Sequence, residues 1–136
     1  MRTYVLDTSA LFVLIEKKPG ALKVNEILKE SVRGHCRTLM STVNYGELYA
    51  LLLRGKGEEE ALRTIVTLGP LPIELEDATA QRCFRAAELK TKYKLYYVDA
   101  FAAALALEHK ATLVTSDSDF RRLGHTFPIA WLRAQP

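Results

Sequence analysis

Thr3-Tyr4-Val5-Leu6-Asp7-Thr8-Ser9 opens the chain with a short β-branched and apolar run that breaks at a carboxylate. Four such residues are too few for a helix and read as a buried strand ending at Asp7. Thr8-Ser9 can cap the next segment, and Ala10 to Ile15 is an apolar helix stopped by Pro19-Gly20. A strand passing directly into a helix is the repeating unit of an α/β fold.

Outward from that unit the alternation continues. Ala21 to Val32 carries Leu22, Val24, Ile27, Leu28 and Val32 near helical spacing, with Gly34 at its end. Thr38 to Met40 fits a second strand, and Ser41-Thr42 caps a helix through Leu53 that Gly55 and Gly57 terminate. Glu58 to Leu68 is the next helix; Pro70 and Pro72 turn the chain into a strand around Ile73 to Leu75. Asp77 or Thr79 caps a helix reaching about Tyr93, and a further helix spans Val98 to Lys110. Thr112 to Thr115 and Ile129 to Leu132 are the last strands. The order predicts an α/β fold, a three-layer α/β/α sandwich with a mainly parallel central sheet of about four to five short strands.

At 136 residues and 15.3 kDa, one domain covering 1–136 is expected, large enough to bury roughly two-thirds of its unfolded surface. The apolar stretch Ala100 to Leu107 falls far short of the roughly 20 residues a membrane span needs. Asp7 and Glu16-Lys17-Lys18 interrupt any signal-peptide pattern, so a cytoplasmic protein is expected. Cys36 and Cys83 lack the close pairing of zinc or redox sites and read as buried reduced thiols. A net charge of +3 permits nucleic-acid binding without establishing it.

Acidic residues at the breaks of apolar runs carry the chemistry. Asp7 ends the first strand, Glu47 sits in Val43-Asn44-Tyr45-Gly46-Glu47-Leu48, Asp99 follows Tyr96-Tyr97-Val98, and Asp117 closes Leu113-Val114-Thr115-Ser116. Three of the five aspartates hold such positions; Asp77 reads as a helix cap. Ligands of parallel sheets bind beyond the carboxyl ends of the strands, where Asp7 and Asp117 lie. Asn44, Glu47, Leu48 and Leu51 share a helical face, and Asp99 falls in a first turn whose dipole favours an anion. Taken singly, each acid is equally a cap, a salt-bridge partner or a turn residue. Together, carboxylates about 5 Å apart repel by roughly 3 kcal/mol per pair at an effective dielectric of about 20, so a cation or protons must compensate. All-oxygen ligands suit Mg²⁺ or Mn²⁺; zinc would want His or Cys, and His35, His109 and His125 fit no ligand spacing. His109 reads instead as a dipole contact near a helix C-terminus. No Gly-rich phosphate loop and no Gly-x-Ser-x-Gly elbow is present. A Mg²⁺-binding receiver-like module also places acids at strand ends, but this chain has no central strand ending in an aspartate.

Val5-Leu6-Asp7-Thr8-Ser9, Glu47 after the second strand, Val98-Asp99-Ala100 and Thr115-Ser116-Asp117-Ser118-Asp119-Phe120 together resemble the PIN-domain ribonucleases, in particular the VapC-type toxins of toxin–antitoxin pairs. The resemblance covers essentially the whole chain and rests on the order and spacing of the motifs. It implies a Mg²⁺-dependent (or Mn²⁺-dependent) endoribonuclease whose Asp7, Glu47, Asp99 and Asp117 form a catalytic metal pocket. Glu47 would either coordinate through water or orient the attacking water. Asp119 matches a further acidic position that some members lack, and Thr8, Ser9, Asn44 and Thr115 match supporting polar positions. By the same analogy the cut leaves a 5′-phosphate and a 3′-hydroxyl. The implied partners are an RNA substrate, a cognate antitoxin and a second copy in a homodimer; a housekeeping RNA-processing PIN nuclease is the alternative. Arg54, Lys56, Lys92, Lys94 and Arg121 are the foremost candidates for RNA phosphates, with Lys18 and Arg122 in the wider set. Tyr93, Tyr96 and Tyr97 fit base stacking or packing equally. The apolar run Leu48 to Leu53 has more large residues than one face buries, which leaves an outer side for an antitoxin helix or a second copy.

Overall fold

Val5 and Leu6 are both fully buried yet belong to two different cores, because successive strand residues point to opposite faces. A computed structural model describes residues 1–133; the last three residues of the expected 1–136 domain lie outside the described residues. Its strands are β1 (Arg2–Leu6), β2 (Cys36–Ser41), β3 (Glu74–Glu76), β4 (Thr112–Thr115) and β5 (Ile129–Trp131). They form one sheet in the order β3-β2-β1-β4-β5, and every pairing is parallel. Register puts Val5 beside Leu39 and Leu113, and Leu6 beside Val114. The first row faces one helical layer; Leu6, Met40 and Val114 face the other. A sheet covered on both sides accounts for the near-continuous apolar runs that mark the strands in the sequence.

The helices are α1 (Thr8–Ile15), α2 (Ala21–Val32), α3 (Thr42–Lys56), α4 (Glu58–Leu68), α5 (Ala80–Tyr93) and α6 (Tyr97–Glu108), with a 3₁₀ helix at Ser118–Leu123. Helix α6 is buried almost throughout, and Ala100, Ala102, Ala103, Ala104 and Ala106 let it lie close to β1, β2 and β4. No described helix is long and apolar enough to cross a membrane.

Several local features differ from the sequence reading, each for a physical reason. Helix α1 is capped by Asp7 itself, whose Oδ1 accepts the Ala10 N–H at 3.0 Å, because Thr8 already has helical backbone. Helix α3 continues through Gly55 to Lys56 and stops at Gly57, whose φ of +83° a side chain would resist. Thr79, not Asp77, caps α5 by accepting the Arg82 N–H. The 3₁₀ helix was not foreseen; Asp117 caps it and buried Phe120 and Leu123 pin it to the core. Cys36 is buried as expected but Cys83 is half-exposed, and both are free thiols.

Gly20 marks the tightest junction. A β-carbon there would lie 2.3 Å from the Leu132 carbonyl oxygen and 2.8 Å from its Cβ, at a φ of +101°. Gly20→Ala should therefore destabilise the protein by about 2–4 kcal/mol, read as a lower urea midpoint, whereas alanine at Gly46, where a Cβ meets nothing, should cost little.

Candidate active site

The chain leaves β1 toward β2 on one side and finds β4 on the other, so the strand order reverses beside Asp7. A pocket of about 440 Å³ lies there, lined by Asp7, Thr8, Ser9, Phe12, Glu47, Leu51, Tyr96, Val98, Asp99 and Asp117. The four expected acids thus share one cavity although they come from four separate segments.

Asp7 is 2% exposed and held on every side. Its Oδ1 accepts from Ser9 Oγ at 2.7 Å and from the Ala10 N–H at 3.0 Å, and its Oδ2 accepts from Thr115 Oγ1 at 2.5 Å. Thr115 Oγ1 in turn accepts the Asp117 N–H, and Ser9 Oγ accepts the Ser116 N–H, both at 2.9 Å. Two hydroxyls therefore bind the end of β1 to the end of β4. Burial pushes the Asp7 carboxyl up to about 6; these hydrogen bonds oppose the rise and the charge of Asp117 adds to it.

Asp99 lies in the first turn of α6, where the helix dipole welcomes a carboxylate. Its pKa is nevertheless pushed up to about 7, first by burial and then by the charges of Asp117, Asp7, Asp119 and Glu47. One carboxylate oxygen each from Asp99, Asp117 and Asp119 fall within 4.8 Å of one another. Asp119, on sequence only a supporting acid, thus joins Asp99 and Asp117 in one cluster, because Asp117 Oδ1 accepts the Asp119 N–H at 2.9 Å and folds the turn back. Asp7 and Glu47 stand outside this triplet but within reach of its charge. Three crowded carboxylates with hydroxyl neighbours form a hard oxygen donor set that fits Mg²⁺ or Mn²⁺.

The polar face of α3 is explained by Asn44, which is fully buried and donates from Nδ2 to the Val98 carbonyl at 3.2 Å. Thr8 Oγ1 donates to the Asn44 carbonyl at 3.0 Å. Asn44 thereby fixes α3, α1 and the start of α6 around the pocket.

None of Arg54, Lys56, Lys92, Lys94 and Arg121 lines the pocket. Lys56 lies 3.8 Å from Glu16 and Lys92 sits over the Tyr93 ring. Arg122 is a cation that reaches the acids: its guanidinium donates to the Lys94 carbonyl at 3.0 Å and lies 3.8 Å from Asp119. Of the apolar lining, Leu51 was placed on the Glu47 face and Tyr96 was named for stacking, while Phe12 and Val98 were not foreseen. Phe12 follows Thr8 by four residues, Leu51 follows Glu47 by four, and Tyr96 precedes Asp99 by three, so helical spacing carried the signal.

Metal-free protein should lose stability as pH rises. Because the folded pKa of Asp99 lies above the ordinary 3.8, the folded state binds more protons than the unfolded one between about pH 4 and 7, and stability falls across that window. In EDTA, Asp99→Asn should stabilise the protein by about 1–2 kcal/mol at pH 8, less than the full shift converts to because the group is partly solvated. The gain should vanish below about pH 4, as urea titrations at the two pH values would read.

A family model described as PIN domain matches residues 4–125. No curated protein sequence matches significantly. Among solved structures, DNA-bound VapBC from Salmonella typhimurium superposes with a TM-score of 0.74 at 16% identity, covering 98% of this chain and 100% of that one. VapBC2 from Rickettsia felis, bound to a fragment of its promoter, gives 0.73 at 22% identity, covering 94% and 97%. VapC20 of Mycobacterium tuberculosis, a sarcin-ricin-loop-cleaving toxin, gives 0.68 at 19% identity, covering 90% and 96%. With nine-tenths of the sequence inside the family match and the acidic pocket at the strand-order reversal, the chain belongs to the PIN-domain family.

Proposed function

We propose that this protein is a Mg²⁺-dependent endoribonuclease and the toxin of a type II toxin–antitoxin pair. The observation that carries the reading is the convergence of Asp99, Asp117 and Asp119 beside buried Asp7, at a place where the charges of Asp117, Asp7 and Asp119 add to burial in raising the proton affinity of Asp99. Such a cluster costs stability and is retained where a cation is to be bound. Membership of the PIN family and the likeness to VapBC chains support the same reading.

Asp99, Asp117 and Asp119 would hold the ion, with Asp7 held rigid behind them by Ser9 and Thr115. Such an ion would supply charge neutralisation for the phosphate and a lowered pKa for the attacking water. Glu47, on α3 across the pocket, orients that water or takes its proton. Arg122 meets the phosphate at the edge of the acids. No side-chain nucleophile is required. Mn²⁺ would serve in place of Mg²⁺.

Exposed apolar side chains are the surfaces the reading assigns to protein partners. Leu48 and Leu52 are buried in the core, so the outer side of Leu48 to Leu53 is narrower than the sequence suggested. Leu53 of α3 and Leu62 and Val66 of α4 are exposed, and they are the apolar surface offered to an antitoxin. Phe84 and Leu107, exposed on α5 and α6, are offered to a second copy. A cytoplasmic location accompanies the same reading.

Incubated with single-stranded RNA and Mg²⁺, the chain should cleave, and EDTA should stop it. Asp99→Asn and Asp117→Asn should each lower the rate at least about 100-fold while circular dichroism stays unchanged. Mg²⁺ should raise the Tm of the wild type and not of Asp99→Asn. Full activity in Asp99→Asn would overturn the reading.

A further inference from the structure

Three tyrosines cluster just before the acidic turn of α6, and the structure gives them different surroundings. Tyr93 packs against the core and has Lys92 over its ring. Tyr97 stacks edge-on against Phe101, with ring centroids 5.0 Å apart, and donates its hydroxyl to the Cys83 carbonyl. Tyr96 alone of the three lines the acidic pocket, and it is 73% exposed. Phe12, the other aromatic residue of the lining, already carries Lys18 over its ring at 5.2 Å.

The pocket is thus two-sided: oxygen donors from the acids and hydroxyls, and an apolar remainder of Phe12, Leu51, Val98 and Tyr96. A phosphate alone has no use for the second part. The tyrosine also stands in a braced segment, since Arg122 ties the Lys94 carbonyl to the neighbourhood of Asp119. An exposed ring held next to a phosphate-binding centre presents a π-face at little ordering cost.

We propose that Tyr96 is a nucleobase-stacking residue, so that the pocket binds a phosphodiester together with an unpaired base lying against this ring. The inference rests on the nuclease reading for its ligand and assigns the apolar part of the pocket that metal chemistry leaves unused. Arg122, 3.8 Å from Asp119, supplies positive charge on the phosphate side. Base–aromatic stacking tolerates any base, so the subsite sets a requirement for a base and not for a sequence.

The test is fluorescence anisotropy of the full chain with labelled 12-mer oligoadenylate and with an abasic 12-mer of the same backbone, with Ca²⁺ replacing Mg²⁺ to limit cleavage. Wild type and Tyr96→Phe should bind the base-bearing oligomer about tenfold or more tightly over the abasic one. Tyr96→Ala should lose that difference and keep the abasic affinity; at 73% exposure its fold should survive, as circular dichroism would verify. Equal or undetectable binding of the two oligomers by the wild type, or an undiminished difference in Tyr96→Ala, would overturn the proposal and leave the ring to a protein partner. Cleavage measured in parallel with Mg²⁺ separates the two readings. Base preference through Tyr96 without cleavage of any RNA would sink the nuclease reading alone, and cleavage indifferent to Tyr96 and to abasic sites would sink the stacking residue alone.

Discussion

The carboxylate of Asp7, buried at the end of the central strand, is the constraint around which the other parts are arranged. A buried charge must be hydrogen-bonded or neutralised, and here Ser9, the Ala10 amide and Thr115 all donate to it. Those three contacts perform separate structural tasks. One caps α1, and the others join α1 and β4 to β1. Thr115 then passes the constraint on by accepting the Asp117 amide, and Asp117 passes it to Asp119. A single chain of hydrogen bonds therefore sets the distance between the rigid acid at the back of the pocket and the crowded ones in front.

That economy explains why the acids have unequal environments. Asp7 has donors on both oxygens, which offset part of the cost of its burial. Asp99 has the helix terminus but also the repulsion of four neighbouring carboxylates, so its charge is the one most in need of a counterion. Around them, Asn44 ties α1, α3 and α6 together through its carbonyl and its Nδ2.

Much of this was legible in the sequence. Strands buried on both faces read as continuous apolar runs, and acids ending such runs fall at the crevice of a parallel sheet whatever the order of its strands. The positions of Asp7 and Asp117 needed no more, whereas Asp99 was read from the first turn of a helix. Asp119 was harder, because its approach depends on a 3₁₀ turn stabilised by tertiary burial of Phe120 and Leu123, which local pattern does not announce. The sequence left the cap of α1 open between Asp7 and Thr8-Ser9, and the helical backbone at Thr8 decides for Asp7. The basic residues misled for a different reason: exposed cations are common, and only the fold tells that Arg122 turns toward the acids. Tyr96 was named on sequence but not separated from Tyr93 and Tyr97, since their difference is one of surroundings.

The bond between Asp7 and Thr115 joins residues 108 positions apart, and β1 meets β4 only after every intervening element has been made. Pairing of this kind closes a long loop and comes late in assembly. During synthesis, a nascent chain that already holds Asp7 must add 108 further residues before Thr115 can be set beside it, and slightly more for Asp117 and Asp119. Incomplete chains, whether paused or truncated before β4, carry no assembled acidic pocket. The topology itself withholds the pocket from any chain that stops short of β4.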